Sequence, residues 1–169
     1  NTNRFTKHAA DNHGTNKGGI YFGYSGLLYA ATHGARVINL SWGGAYGSEI
    51  VQQLITYVAI DLGCLIIASA GNDANDKPTY PAAYDHVLSV AATDAEDAVA
   101  DFTSFGNTVD IAAPGVSIKT SAFNNAYATV DGTSFSAPIV AGAAALVWSA
   151  FPDYTATQVG ELLRVSADE

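Results

Sequence analysis

The run from Val37 to Ala68 constrains the fold more than any other part of the chain. Val37-Ile38-Asn39-Leu40-Ser41 is short, rich in branched residues and stopped by Gly43-Gly44, the pattern of a strand. Ser48 then stands as a cap, and Ile50, Val51, Leu54, Ile55, Val58, Ala59 and Leu62 recur at helical spacing as far as Gly63. Cys64-Leu65-Ile66-Ile67-Ala68 is a second strand, apolar on both faces. Strand, helix and strand in that order require a parallel sheet covered by helices and connected right-handedly. The expected fold is α/β, with a mostly parallel sheet and helices on both faces.

The remaining segments fit that plan. Ser25 can cap a helix running to about His33, with Leu27, Leu28 and Ala31 on one face and Gly34 ending it in a left-handed turn. Val87-Leu88-Ser89-Val90-Ala91 predicts a third strand, and Asp110-Ile111-Ala112 a short fourth closed by Pro114-Gly115. Ser117 to Thr120 and Tyr127 to Val130 read as minor strands leading into a long apolar helix at Ser134. That helix is apolar nearly all round and is expected to run through the middle of the molecule. Thr155-Ala156-Thr157-Gln158 is a capping box, with Tyr154 and Val159 as its staple. Asn1 to Gly23 is polar and without period, a loop with a short strand near Lys7 to Ala10. With no repeat and no linker, residues 1–169 are expected to form one domain.

Composition bounds the partners. The 169 residues are 49% hydrophobic and only 14% charged, which suits a buried core rather than a disordered chain. A formal net charge of −9 repels phosphate backbones and anionic bilayers, so neither nucleic acid nor a membrane is an expected partner. The longest apolar window, Ala137 to Ala150, is interrupted by Pro138 and Gly142 and reads as a core helix shorter than a span. Cys64 is the single cysteine, expected to be a buried, inert thiol. No basic-then-apolar start is visible, and the chain is expected to be an internal or truncated segment.

Gly132-Thr133-Ser134-Phe135-Ser136-Ala137-Pro138 opens the apolar helix. A serine in a first helical turn sits among unpaired N–H groups at the positive end of the dipole, where a developing negative charge is favoured. Ser134 is thus a candidate nucleophile, although Ser is also a favoured plain cap. Asn72 follows a buried strand in Ala70-Gly71-Asn72, beyond the carboxyl end where ligands of open α/β sheets bind. It could supply an oxyanion donor or simply form a turn. Ser41-Trp42-Gly43-Gly44 also ends a strand, and its glycines admit another backbone or merely make a turn.

The stretch Gly132 to Pro138 with Val140-Ala141-Gly142 closely resembles the nucleophile motif Gly-Thr-Ser-x-[Ser/Ala]-[Ser/Ala]-Pro of the subtilisin-like serine proteases. Three further stretches resemble that family in the same order: Val37 to Gly44, Ala68-Ser69-Ala70-Gly71-Asn72, and Tyr80-Pro81-Ala82-Ala83-Tyr84. The resemblance runs from about Ser25 to Leu163. It implies a secreted endopeptidase acting on peptides or proteins, with Ser134 as nucleophile and the Asn72 amide sharing the oxyanion with the Ser134 backbone N–H. It further implies that Ser41, Trp42, Gly43 and Gly44 pair with the substrate, opposite a pocket wall made by Ala68, Ser69, Ala70 and Gly71. Small residues on that wall suggest room for a sizeable apolar side chain. The resemblance also implies a cis Tyr80-Pro81 bond. No cofactor is required for the chemistry, but a weak calcium or alkali cation is implied at the carbonyls of Ala82, Tyr84 and Val87 with the Asp110 carboxylate.

The pattern fails upstream. The family carries its aspartate in Asp-[Ser/Thr]-Gly and its histidine in His-Gly-Thr-His, and neither occurs here. His13-Gly14-Thr15-Asn16 is followed by Lys17-Gly18-Gly19 instead of a small apolar helix and reads as a loop. His8, His33 and His86 carry no motif. The expectation is a segment that is nearly inactive alone and that pairs with its missing N-terminal part or self-associates. The rival is a non-catalytic peptide-binding or structural domain on the same scaffold. A different serine hydrolase is disfavoured, because no Gly-x-Ser-x-Gly elbow occurs.

Overall fold

A computed structural model describes residues 5–6, 19–20 and 22–167. The strand expected near Lys7 to Ala10 and the histidines His8 and His13 lie outside the described residues. A short antiparallel pair joins β1 (Phe5–Thr6) to β2 (Gly19–Ile20). The main sheet has four parallel strands in the order β3 (Val37–Leu40), β4 (Leu65–Ser69), β5 (Val87–Thr93) and β6 (Ile111–Pro114). β7 (Ile118–Ala122) and β8 (Ala126–Val130) form a separate hairpin.

Side-chain alternation on β4 builds two cores. Cys64, Ile66 and Ala68 face one side, packing with α1 (Gly23–Thr32) and α2 (Glu49–Thr56) through Leu27, Ala31 and Ile55. Leu65 and Ile67 face the other side, packing with α3 (Thr133–Ala150) and α4 (Ala156–Val165) through Val140, Ala144, Trp148 and Val159. Helices therefore cover both faces, as expected, and β4 is buried at every residue. Arg36 locks the far end, its guanidinium 3.8 Å from the Trp148 ring centroid while Trp148 Nε1 donates to the Tyr154 carbonyl at 2.8 Å.

Four local expectations need correction. Helix α1 begins at Gly23 with Phe22 at its cap position, so Ser25 lies inside it. The start is set by tertiary packing, since a Cβ at Gly23 would come within 2.5 Å of the Trp42 ring. Its end does match: Gly34 has φ of 89°, and the Gly34 and Ala35 N–H groups donate back to Ala31 and Ala30. Ser48 occupies the α2 cap position without a side-chain cap bond; its backbone N–H donates instead to the Tyr84 hydroxyl at 2.8 Å. Residues 43–50 are all exposed, and Ile50 among them is 77% exposed rather than on the core face. Beyond Thr56 the helix widens into a π-helical turn over Tyr57–Asp61, which keeps Val58 and Ala59 buried but leaves Ile60 outside.

Helix α3 lies across the sheet, against all four of its strands, with one side uncovered instead of running through the centre. Ile139 and Leu146 are exposed on that side, Leu146 by 73%. At 18 residues α3 exceeds the Ala137 to Ala150 window and is long and apolar enough to cross a bilayer on length and composition alone, but it packs against all four strands, as the core-helix reading expects. The α4 capping box is complete: the Thr155 hydroxyl accepts from the Gln158 N–H, and the Gln158 side chain accepts from the Thr155 N–H.

Burial predicts alkaline behaviour. The Cys64 thiol, only 2% exposed, is pushed above its ordinary pKa by desolvation. The Tyr24 phenol is raised by desolvation first, and then by the neighbouring Tyr84. Both groups hold their protons more tightly folded than unfolded. Their contribution is thus intact below the ordinary thiol and phenol values, about 8.5 and 10, and is lost as pH rises through the raised ones. Urea midpoints are expected to fall between about pH 8.5 and 11, with Tyr24→Phe flattening the part above pH 10. A Tyr24→Phe curve that falls as steeply as the parent's would contradict this assignment.

Candidate active site

Three chain segments converge at the carboxyl ends of β3 and β4. Ser41 to Gly44 follows β3, Ala70-Gly71-Asn72 follows β4, and Gly132-Thr133-Ser134 opens α3. Between them lies a cavity of about 310 Å³ lined by Trp42, Gly43, Gly44, Ser69, Gly71, Asn72, Thr133 and Ser134, with Asp73, Asn75, Lys77 and Thr79 at its far wall. Ser41 stands behind Ser134 instead of lining the cavity. Ala68 and Ala70 do not line it either. Ala68 is wholly buried in the core shared with α1 and α2, because the β4 alternation directs its side chain to that face.

Thr133 fixes the asparagine. The Asn72 Oδ1 accepts from the Thr133 N–H at 2.9 Å and from the Thr133 hydroxyl at 2.8 Å. A backbone N–H can only donate, so the amide oxygen must face Thr133 and Nδ2 is left turned away from it. That nitrogen lies beside Gly132, where an added Cβ would meet it at 3.6 Å. Gly132 has φ of 147°, a conformation that side chains rarely adopt. Thr133 Oγ1 also accepts from the Gly71 N–H at 3.3 Å, tying both sides of the cavity together.

Ser134 is half-buried at the second position of α3. Its own N–H belongs to the first helical turn and has no intrahelical acceptor. Its hydroxyl donates to the Ser41 carbonyl at 3.4 Å. A carbonyl oxygen placed between the Ser134 N–H and Asn72 Nδ2 would meet two donors at the positive end of α3. No histidine among the described residues lines this cavity. His33 Nδ1 sits 2.8 Å from the Tyr29 carbonyl, its ring stacked on Tyr29, and His86 borders a different cavity.

That second cavity, of about 320 Å³, brings together Ala82, Tyr84, Val87 and Asp110, with Asp85, His86, Asn107 and Thr108 beside them. Asp110 Oδ2 already accepts from the Ser89 N–H at 2.8 Å. Among the described residues no group of three His, Cys, Asp or Glu side chains could hold a metal. Tyr80-Pro81 is cis, and Tyr80 exchanges two backbone hydrogen bonds with Gly44, each 2.8 Å.

Sequence reasoning missed Thr133. Its wholly buried hydroxyl must find partners, but that burial comes from the packing of distant segments and carries no signal in the sequence. Thr133→Val removes the hydroxyl that holds Asn72 and Gly71 while keeping the shape. It is expected to lower turnover about tenfold at unchanged KM in the catalytically complete protein, from about 1.4 kcal/mol of lost hydrogen bonding. Steady-state kinetics on a peptide ester checks this, and an unchanged kcat would contradict it.

Fold and site together define an α/β scaffold with a serine at a helix start and an amide at the tip of a parallel strand. The subtilase family profile matches residues 9–169, and the chain belongs to that family. It is 43% identical over 125 residues to thermitase of Thermoactinomyces vulgaris, covering 74% of this chain and 44% of thermitase. It is 39% identical over 147 residues to subtilisin DY of Bacillus licheniformis, covering 85% and 53%. A solved cold-adapted subtilisin-like serine proteinase superposes with a TM-score of 0.80 at 32% identity, over 86% of this chain and 54% of that one. The chain spans about half the length of the curated relatives it matches.

Proposed function

We propose that this chain carries the nucleophile and oxyanion-binding part of a secreted serine endopeptidase. Ser134 Oγ attacks the scissile carbonyl, its proton passes to a histidine supplied by chain outside this sequence, and an aspartate there orients that histidine. Asn72 Nδ2 and the Ser134 N–H donate to the oxyanion. The substrate pairs with the Ser41 to Gly44 edge and places one side chain in the 310 Å³ cavity. The polar side chains of Asn75, Lys77 and Thr79 temper the apolar preference read from the small residues of the wall.

The supporting observation is the double acceptance by Asn72 Oδ1 from Thr133, which leaves Nδ2 as the amide's free donor next to Gly132. The same reading makes the edge of β3, unpaired among the described residues, and the exposed side of α3 the seat of the upstream chain. Static light scattering tests this: self-association of the chain alone, relieved by adding the upstream segment, is expected, and a concentration-independent monomer would count against it. A weak calcium or alkali ion would rest on the Ala82, Tyr84 and Val87 carbonyls and Asp110, where oxygen-only ligation suits a hard cation. A rise in Tm with calcium that is lost in Asp110→Ala is the expected result; no response to calcium or to potassium would contradict it.

The rival, a non-catalytic peptide-binding domain, draws on the lack of a histidine around the Ser134 cavity among the described residues. Fluorophosphonate labelling separates the two. Stoichiometric modification of Ser134 once the upstream chain is present favours the peptidase, and an unreactive Ser134 there favours the binding domain.

A further inference from the structure

In an α-helix the carbonyl of residue i accepts from the N–H of residue i+4. For the Ser134 carbonyl that donor would come from residue 138, which is a proline without an N–H and with a ring that crowds the same carbonyl. The helix that presents the serine therefore begins with a carbonyl that its own ladder cannot satisfy. Another element supplies the donor. Ser41 Oγ donates to the Ser134 carbonyl at 2.8 Å, and Asn39 Nδ2 donates to Ser41 Oγ at 2.9 Å. The Ser134 hydroxyl returns the contact by resting on the Ser41 carbonyl at 3.4 Å.

Asn39 is the third residue of β3, in register with Ile67 of β4. It shares the face of Val37, which packs toward α3 and α4, and it is exposed there. A polar residue at that strand position contributes nothing to the core, but its amide is anchored by the rigid strand. The chain of contacts thus runs from a sheet residue through a hydroxyl to the main chain of Ser134.

We propose that Asn39 and Ser41 are positioning residues for Ser134. Ser41 replaces the helical hydrogen bond that Pro138 removes, and Asn39 aims the Ser41 hydroxyl. Two contacts, one to the Ser134 carbonyl and one to its hydroxyl, hold the first turn of α3, the turn whose Thr133 N–H donates to Asn72. Ser41 also opens the segment proposed to pair with substrate, so filling that edge and holding the nucleophile are mechanically linked. The inference rests on the reading of Ser134 as nucleophile.

The test is a mutant cycle in the full-length protein, with its upstream chain present and steady-state kinetics on a peptide substrate. Ser41→Ala is expected to lower kcat about tenfold with KM within about twofold, and Asn39→Ala, at an exposed residue, to lower kcat about threefold in the same selective way. In the Pro138→Ala background residue 138 regains its N–H. The Ser41→Ala penalty is expected to shrink there to less than about threefold. An equal penalty in both backgrounds, or an unchanged kcat in Ser41→Ala while Ser134→Ala is inactive, would overturn the positioning role. A Ser134→Ala variant as active as the parent would instead overturn the nucleophile reading itself.

Discussion

Labelling of Ser134 by a fluorophosphonate is expected to be about 10⁶-fold slower in this chain alone than in the same chain joined to its upstream sequence. That factor is the loss recorded in subtilisin when its histidine is removed. A serine hydroxyl near its ordinary acidity is a poor nucleophile, and its only acceptor among the described residues is the Ser41 carbonyl, which cannot take a proton. The dipole of α3 and the two donors proposed for the oxyanion remain, so slow labelling should persist above the rate of a free serine. Labelling measured by mass spectrometry decides the point. Fast, stoichiometric modification of the isolated chain would mean that a base is already present in it.

Asn72→Leu, in the catalytically complete protein, is expected to lower kcat about 10² to 10³-fold, the magnitude measured in subtilisin for losing such a donor. The amide does not merely sit near Ser134. Thr133 spends two donors on its oxygen, at 2.9 and 2.8 Å, which leaves only the nitrogen to serve the cavity. KM should change little, because the lost hydrogen bond matters where negative charge develops and hardly in the bound substrate. Asn72→Asp should be as damaging or worse, since a carboxylate facing the Thr133 N–H would present its second oxygen, an acceptor, to the oxyanion. Matched losses in kcat and kcat/KM check this; a change confined to KM would assign Asn72 to substrate binding.

Much of the scaffold was legible because burial writes itself as period. The fully apolar run from Cys64 to Ala68, the amphipathic spacing before Gly63 and the Thr155-Gln158 box each depend on neighbours within a few residues. What escaped depends on contacts between distant segments. Gly23 starts α1 two residues before Ser25 because the Trp42 ring, from the segment after β3, lies against it. Ile50 fits the helical spacing yet stays exposed, since the first turn of α2 stands outside the core. Helix α3 is apolar nearly all round, which predicted a place in the middle of the molecule, yet Ile139 and Leu146 are exposed, because apolar composition alone does not say which sides of a helix are covered.

The site divides in the same way. Ser134 and Asn72 stand out from their neighbours in the chain, one by a helix start and one by a strand end. Thr133 reads only as a residue between Gly132 and Ser134, until its hydroxyl is found between Asn72 and Gly71. Ser41 and Asn39 were legible as a strand end; their tie to Ser134 emerges only beside Pro138, a residue 97 positions away from Ser41 along the chain and in register with nothing on β3.

The most direct measurement is a crystal structure of the protein, upstream chain included, with a phosphonate bound covalently to Ser134 Oγ. One phosphonyl oxygen is expected within hydrogen-bonding distance of both Asn72 Nδ2 and the Ser134 N–H, with the Thr133 contacts to Asn72 intact. A phosphonyl oxygen turned to solvent, with the Asn72 amide bonded elsewhere, would contradict the claim that these two residues hold one oxyanion.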